Sequence, residues 1–424
     1  MARRWPIAVV AAGTLTAALA AASIVAVSVV AGPAPPAAAS VETYPVPTNG
    51  VYRVIGRGYG HGHGLSQYGA RAAAASLNAT AILDFYYPGT ATGTASPTAP
   101  IRVRLLGAYP TQLQVHGGTG LTVLDGGTGQ VYPMTNTRVR YRIVVTAAGM
   151  LLQYSPDGPH WVTHPLGTGR PHAGPLSFAA TGPVRLYLPH GVSRAYDGTL
   201  TAVRTGTNTL MTVNALAHDG YVSGVVAREM PASWPAAALR AQAIAARTYA
   251  WYQRAHTPAG RPWDTCDSTA CQVYGGRLAF AGGRVIDLQP ATVRQAVANT
   301  SSLVRTYSGH PILAQFSASN GGYSAVGGVP YLAGQPDPYD AASPYHLWTH
   351  TLRASDLARC AGLRTLTSLT VLARDRHGDW GGRLLQIKFA GTDRAGRAAT
   401  SQRTGPAVRS CFPKVFRSTY ATFW

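Results

Sequence analysis

The chain reads as an α+β protein, a mixed helical core with a β-rich accessory region. Two observations predict this. Strand-like alternation gathers in one part of the chain. Ile101–Leu105 alternates cleanly, and Leu121–Leu124, Val139–Thr146 and Val184–Leu188 follow, with Gly-rich turns between them. Helical spacing gathers in another part. Val222, Val225 and Val226 recur at helix period before Glu229, and Leu239, Gln242, Ala246 and Tyr249 fall on one stripe of a longer helix. Runs of strands set apart from runs of helices are the α+β pattern.

Composition narrows the partners. There are 36 Lys+Arg against 16 Asp+Glu, a formal charge of +20. Lysine occurs only at Lys388 and Lys414, so the charge is arginine. Such a surface suits a polyanion: nucleic acid, an anionic membrane face or an acidic cell wall. The basic residues are scattered, without the Lys/Arg and aromatic runs of a nucleic-acid groove, so nucleic acid is set aside.

The N-terminus reads as an export signal. Arg3 and Arg4 precede an apolar run from Trp5 to Ala31, and Ala37-Ala38-Ala39-Ser40 offers small residues for cleavage. The run is long enough to anchor the chain uncleaved, but the Ala-rich site favours cleavage near Ala39. The organisation that follows is 1–39 signal, 40–95 a Gly/His segment, 96–195 the β-rich region and 196–424 the main domain. An exported chain has its 4 cysteines in an oxidising compartment, so Cys266, Cys271, Cys360 and Cys411 are disulfide candidates. Zinc at Cys266 and Cys271 is the alternative, and it lacks two further ligands.

In order along the chain, Val51–Ala70 carries glycine at 56, 58, 60, 62 and 64. Read as extended, it has one face of bare backbone and one of Arg57, Tyr59, His61 and His63. Another strand or a ligand could approach the bare face closely. His61 and His63 have no acidic or thiol partner nearby, so they read as hydrogen-bonding groups and not metal ligands. Ser66 and Gln67 open a helix over Ala70–Leu77, and a second helix ends at Tyr86-Tyr87. Thr90–Pro100 reads as a linker, and His160, His164 and His172 as surface residues. Tyr196–Asn214 is a hairpin, and Asp219-Gly220 a boundary. Glu229 ends a short helix stopped by Pro231. Ser233 is the expected cap of the next, which has Pro235 in its first turn and runs to about Arg254. Ala291–Thr300 is a helix, and the tail has strands such as Leu384–Phe389. Ser317–Ser324 is a polar loop suited to lining a sugar cleft.

Glu229 is the leading candidate acid; Asp264 and Asp267 read as second carboxylates or simple turn residues. The chain has two glutamates, Glu42 and Glu229. A carboxylate at a helix C-terminus faces the negative end of the dipole. Beside Met230, Trp234 and the valines it is also desolvated, and both effects favour the protonated form. A general acid for a glycosidic oxygen needs that. Arg228 opposes it unless it points to solvent.

These segments together resemble the stage II sporulation protein D family, which includes the amidase-enhancer proteins. The resemblance rests on VNALAHDGYVSGVVAREMPASWPAAALRAQAIAARTYA, CDSTACQVYGG, FSASNGGYS, the DPYD and SPYHLW stretch, and GRGYGHGHGLSQYGA with FYYPGT. It implies a lytic transglycosylase acting on peptidoglycan glycan strands, with Glu229 catalytic and no cofactor. Gln242, Arg247, Tyr249, Ser319, Gly321, His61, His63, Ser66 and Gln67 are then the expected sugar-binding residues. A cell-wall amidase is the partner implied by the enhancer branch. In the family the GHG-x-SQ motif follows the catalytic segment; here it comes first, as in a permuted order. A glutamate often stands at Asp219, and Ala270 replaces a histidine that precedes the second cysteine in zinc-binding members. The rival readings are a non-catalytic wall binder and a glycosidase with Asp264 or Asp337 as second carboxylate.

Overall fold

A computed structural model describes residues 41–137, 139–166 and 171–424; the signal segment read at 1–39 lies outside the described residues. Seven α-helices are present among them: α1 Gln67–Ala73, α2 Ala79–Tyr86, α3 His218–Glu229, α4 Ala236–Ala255, α5 Ala291–Ala298, α6 Ala354–Ala361 and α7 Gly405–Cys411. Strands in several sheets complete an α+β fold, as the sequence predicts.

The expected alternation builds two large sheets. One has seven strands, in the order Thr265–Cys266, Pro100–Leu105, Leu210–Ala217, Thr199–Arg204, Leu176–Ala179, Thr122–Asp125, Val131–Pro133. The other has eight: Val162–Thr163, Gly149–Ser155, Arg140–Thr146, Gln112–His116, Val184–Tyr187, Ser193–Tyr196, Leu278–Ala281, Arg284–Asp287. Val103, Val123, Phe178 and Leu200 from the first share one buried cluster with Leu113, Val115, Ile143 and Leu186 from the second. Strands on both sides of position 195 belong to both sheets, and the 199–217 hairpin lies within the first.

Several local readings need correction. Thr90–Pro100 is not a bare linker, because Ala91–Thr94 pairs with Leu303–Tyr307. The threonines there serve Arg305, which is 2% exposed; its guanidinium donates to Thr90, Thr92 and Asp84. Asp219 and Gly220 lie in the first turn of α3 and mark no boundary. Ser233 caps nothing: α4 starts at Ala236 with Pro235 as its cap residue, because Trp234 N–H closes a turn on the Pro231 carbonyl first. His172 is not a free surface residue, since its Nδ1 lies 2.8 Å from the Asp125 carboxylate and its side chain is 12% exposed.

A second buried cluster gathers both ends of the described chain. Val51–Gly56 sits between Trp348–Arg353 and Ala421–Phe423, and Glu42–Pro45 pairs with Thr365–Arg374. Tyr52, Val54, Leu352, Leu369, Ile387, Phe389 and Phe423 fill the space between. This module fixes the start of the glycine-histidine strip.

The cysteines form two disulfides, Cys266–Cys271 and Cys360–Cys411, with sequence separations of 5 and 51. In the chain-entropy view the longer loop stabilises by about 4 kcal/mol and the shorter by about 2 kcal/mol. Replacing Cys360 and Cys411 together by Ser should therefore lower unfolding free energy about twice as much as replacing Cys266 and Cys271. Urea denaturation of the two double variants checks this.

Candidate active site

The strand Leu210–Ala217 runs directly into α3, and one side of that helix is fully buried through Tyr221, Val222, Val225 and Val226. Asp219, in its first turn, accepts from Arg247 Nε at 2.7 Å and from Ser301 Oγ at 2.7 Å. The helix stops where Met230 turns extended (φ −130, ψ 140) ahead of Pro231. Glu229 is thus the last residue of a rigid element and is half-buried, while Arg228 points to solvent.

Two N–H donors hold the Glu229 carboxylate. Gln67 Nε2 reaches one oxygen at 3.1 Å, and the Val273 backbone N–H reaches the other at 3.1 Å. Desolvation pushes this carboxyl above the usual carboxylate range; the two donors and the Arg228 charge pull the other way and do not cancel it.

Val273 follows the Cys266–Cys271 ring. Gln272, 1% exposed, pins it: its Nε2 donates to the Ala246 carbonyl and its Oε1 accepts from Tyr221 hydroxyl at 3.1 Å. The sequence had no signal for a backbone donor at 273.

Gln67 arrives by another route. The strip 57–64 is not an extended strand: Gly58, Gly60, Gly62 and Gly64 all have positive φ. The bare-backbone reading survives in a different form. A Cβ at Gly58 would meet the Ser319 carbonyl at 2.8 Å, so the main chains of 58 and 319–321 touch. Tyr59 and Ser319 exchange both backbone hydrogen bonds, and Leu65–Ser66 pairs in parallel with Phe316–Ser317. Ser66 caps α1 by accepting from Gly69 N–H and donates to Asp340 at 2.8 Å. Asp340, fully buried, also takes the Ser319 hydroxyl and the Asn320 N–H. Asp337 holds Tyr86 hydroxyl at 2.9 Å and Asn320 Nδ2 at 2.8 Å.

The expected sugar-binding residues divide. Gln67 is on Glu229, Tyr249 and His63 are half-buried, and His61 is exposed. His63 Nδ1 lies 3.0 Å from Gln315 Oε1, and His63 N–H donates to His61 Nδ1. Arg247, Ser66, Ser319 and Gly321 are frame instead of contact surface. Arg247 is fully buried and donates to Asp219 and to the Leu303 and Val297 carbonyls. Ser66 and Ser319 are spent on Asp340, and Gly321 is buried against Arg57 and Gly58. Gln242 is fully buried, and neither amide atom has a hydrogen-bond partner among the described residues. Asp264 is bound by Arg102 and Thr257.

A row of rings that the sequence left apart runs beside Gln67. Trp234 and Tyr68 have centroids 5.0 Å apart, Tyr68 and Tyr345 5.6 Å, and Tyr345 and Tyr59 4.9 Å. Arg71 stacks on Trp234, and Arg417 on Tyr345 and Tyr59.

Residues 206–307, which include Glu229, α4 and the Cys266–Cys271 ring, match the model of the family described as SpoIID, stage II sporulation protein. Stage II sporulation protein D of Bacillus subtilis is 32% identical over 159 residues, 34% of this chain and 46% of that protein. The amidase enhancer of the same organism is 37% identical over 142 residues, 32% of this chain and 17% of the enhancer. An uncharacterized protein of Brachyspira hyodysenteriae is 35% identical over 156 residues, 35% of this chain and 40% of that protein. The chain thus spans less than half the length of these relatives. These similarities support the family read from the motifs, and the relatives' names carry no reaction.

The raised Glu229 pKa has a stability consequence. The folded state disfavours the charged carboxylate, so the penalty is present above the folded pKa and vanishes below the ordinary Glu value. Glu229→Gln should therefore raise the melting temperature at pH 7.5, and the gain should shrink as pH falls through the raised folded pKa and be gone below the ordinary value of 4.5. Thermal unfolding across pH measures it.

Proposed function

We propose that this chain acts on the cell wall and cleaves peptidoglycan glycan strands by lytic transglycosylation. The observation that carries this reading is Glu229 itself: a desolvated carboxyl between two N–H donors, and among the described residues no carboxylate is one of the groups that shift its pKa. A glycoside hydrolase normally uses two carboxyl groups. Asp264 is engaged by Arg102 and Thr257, and Asp337 by Tyr86, Asn320 and Tyr339, so neither is free to activate water.

One carboxyl suffices if the substrate supplies the nucleophile. Glu229 gives its proton to the oxygen joining N-acetylmuramic acid to N-acetylglucosamine, and the bond from C1 to that oxygen breaks. The resulting carboxylate is stabilised by Gln67 and Val273, whose hydrogen bonds strengthen as charge develops. It then takes the proton of the muramoyl 6-hydroxyl as that oxygen bonds to C1. The product is a 1,6-anhydro end, no water is consumed, and Glu229 is protonated again. The ring row at Trp234, Tyr68, Tyr345 and Tyr59 lies beside Gln67, where the half-buried Tyr68 ring carries no arginine among the described residues and is left for a sugar ring. Export to the wall follows from the N-terminal signal reading.

The similarity to an amidase enhancer supports a second reading, a non-catalytic glycan binder that works with a cell-wall amidase. Digestion of purified glycan strands, with and without stem peptides, separates the two. The expected products carry anhydro-muramoyl ends by mass. Reducing ends would indicate hydrolysis, and tight binding without cleavage would indicate the enhancer.

Glu229→Gln should abolish cleavage with the fold intact; retained activity would sink the assignment. Gln67→Ala should slow cleavage about ten- to a hundredfold. Because Gln67 lowers the Glu229 pKa, the same variant should move the alkaline limb of the pH–rate profile upward.

A further inference from the structure

The outer face of the eight-stranded sheet carries residues that the reading of Glu229 does not use. Side chains directly opposite in an antiparallel ladder share a face. Arg142 stands opposite Gln114 on one side and Gln153 on the other, and Arg140 opposite His116. Two strands on, Arg185 and Tyr187 lie on the same face, opposite Ala195 and Ser193, and Ser193 is opposite Phe280. The His116 and Tyr187 rings, 6.2 Å apart, join the two halves.

Arginines and rings alternate across this face. Arg142 lies 4.1 Å from the Trp161 centroid and Arg140 4.7 Å from that of Tyr187. Arg185 stacks 3.9 Å from Phe280 and 5.5 Å from Tyr187. From the Arg142 strand to the Phe280 strand is four strand spacings, about 19 Å.

Two of the three arginines donate to neutral groups, and Arg140 lies over the Tyr187 ring. Arg142 donates to Gln153 and Gln112, and Arg185 to Ser193 Oγ. Elsewhere the arginines Arg102, Arg247, Arg305 and Arg374 pair with carboxylates, but among the described residues none of these three has one within ion-pair distance. The sheet therefore gathers an uncompensated positive row from strands that lie far apart in sequence.

We propose that this face binds an acidic polysaccharide strand bearing carboxylates. Stacking occupies guanidinium faces, and the in-plane N–H groups beyond the bonds to glutamine and serine, Nη2 of Arg142 and the two Nη of Arg185, remain to meet a carboxylate. The half-buried amides of Gln112 and Gln153 beside them suit sugar hydroxyls. Nucleic acid fits less well, because the ring faces that bases would stack on are taken by arginine. The proposal is independent of cleavage at Glu229.

The test is equilibrium binding of the full chain to polygalacturonate, with neutral dextran and oligo(dT) as comparison polymers. Polygalacturonate should bind, weaken as salt rises, and lose about tenfold affinity for each of Arg142→Gln and Arg185→Gln. Melting temperatures of the variants report whether the fold is kept, and Arg140→Gln reads the same face should either variant unfold. Dextran binding as tightly as polygalacturonate would overturn the proposal. So would oligo(dT) bound as tightly and weakened by the same variants, or folded variants that bind polygalacturonate like the parent. Cleavage of peptide-free strands by these variants should stay at the parent rate, so loss of binding here is distinguishable from failure of the Glu229 reading.

Discussion

Two hydrogen bonds on one carboxylate organise this molecule. Glu229 sits where a helix ends and its dipole is negative, half out of water, a place hostile to charge. The donors that make the charged form accessible come from opposite directions in the chain. Val273 N–H depends on a disulfide ring pinned by Gln272 to α3 and α4. Gln67 Nε2 depends on a glycine strip laid against 317–321 and on a helix cap tied to Asp340. The opposing influences leave the carboxyl raised, yet with charge-stabilising partners in place, which suits a group that must give and regain a proton.

The other buried acids show the contrast. Asp340 accepts from Ser66, Ser319 and Asn320, and Asp337 from Tyr86, Asn320 and Tyr339. Carboxylates with three or more donors hold loops together and keep little acceptor capacity for chemistry. Glu229 has one donor on each oxygen and keeps the remaining lone pairs. Number of donors, and not burial alone, separates frame from candidate catalyst here.

Much of this was legible in the sequence, for identifiable reasons. Alternation at Ile101–Leu105 and Val139–Thr146 and helical spacing before Glu229 are local signals, and the elements formed within a few residues of the expected ends. The composition of Glu229's neighbours was enough to predict its raised pKa. What failed was non-local. The Thr-rich 90–100 stretch reads as linker until Arg305, some 215 residues away, is seen to need its hydroxyls. Arg247 and Ser319 look like ligand contacts because they are polar in a motif, and only the fold reveals the carboxylates they serve. Val273 contributes a backbone donor, which no side-chain pattern encodes. Arg140, Arg142 and Arg185 appear scattered in one dimension and form a row only when strands pair.

The strip preceding the helix it serves poses no physical difficulty. Loop-closure entropy rises only slowly with length, so bringing residue 67 to residue 229 costs little more than a short connection would. Direction of approach matters more, and the module of the two chain ends fixes it. Val51–Gly56 is clamped between Trp348–Arg353 and Ala421–Phe423, and Trp348 Nε1 holds the Gly58 carbonyl at 2.8 Å. The loop 317–321 and the strip then meet through main-chain bonds that need no particular order along the chain. Contacts to Asp340 reach both Ser66 and Ser319, so one buried carboxylate registers the two pieces against each other. A site assembled in this way depends on pairing partners and not on sequence order, which is how a strip that precedes the helix delivers Gln67 to Glu229.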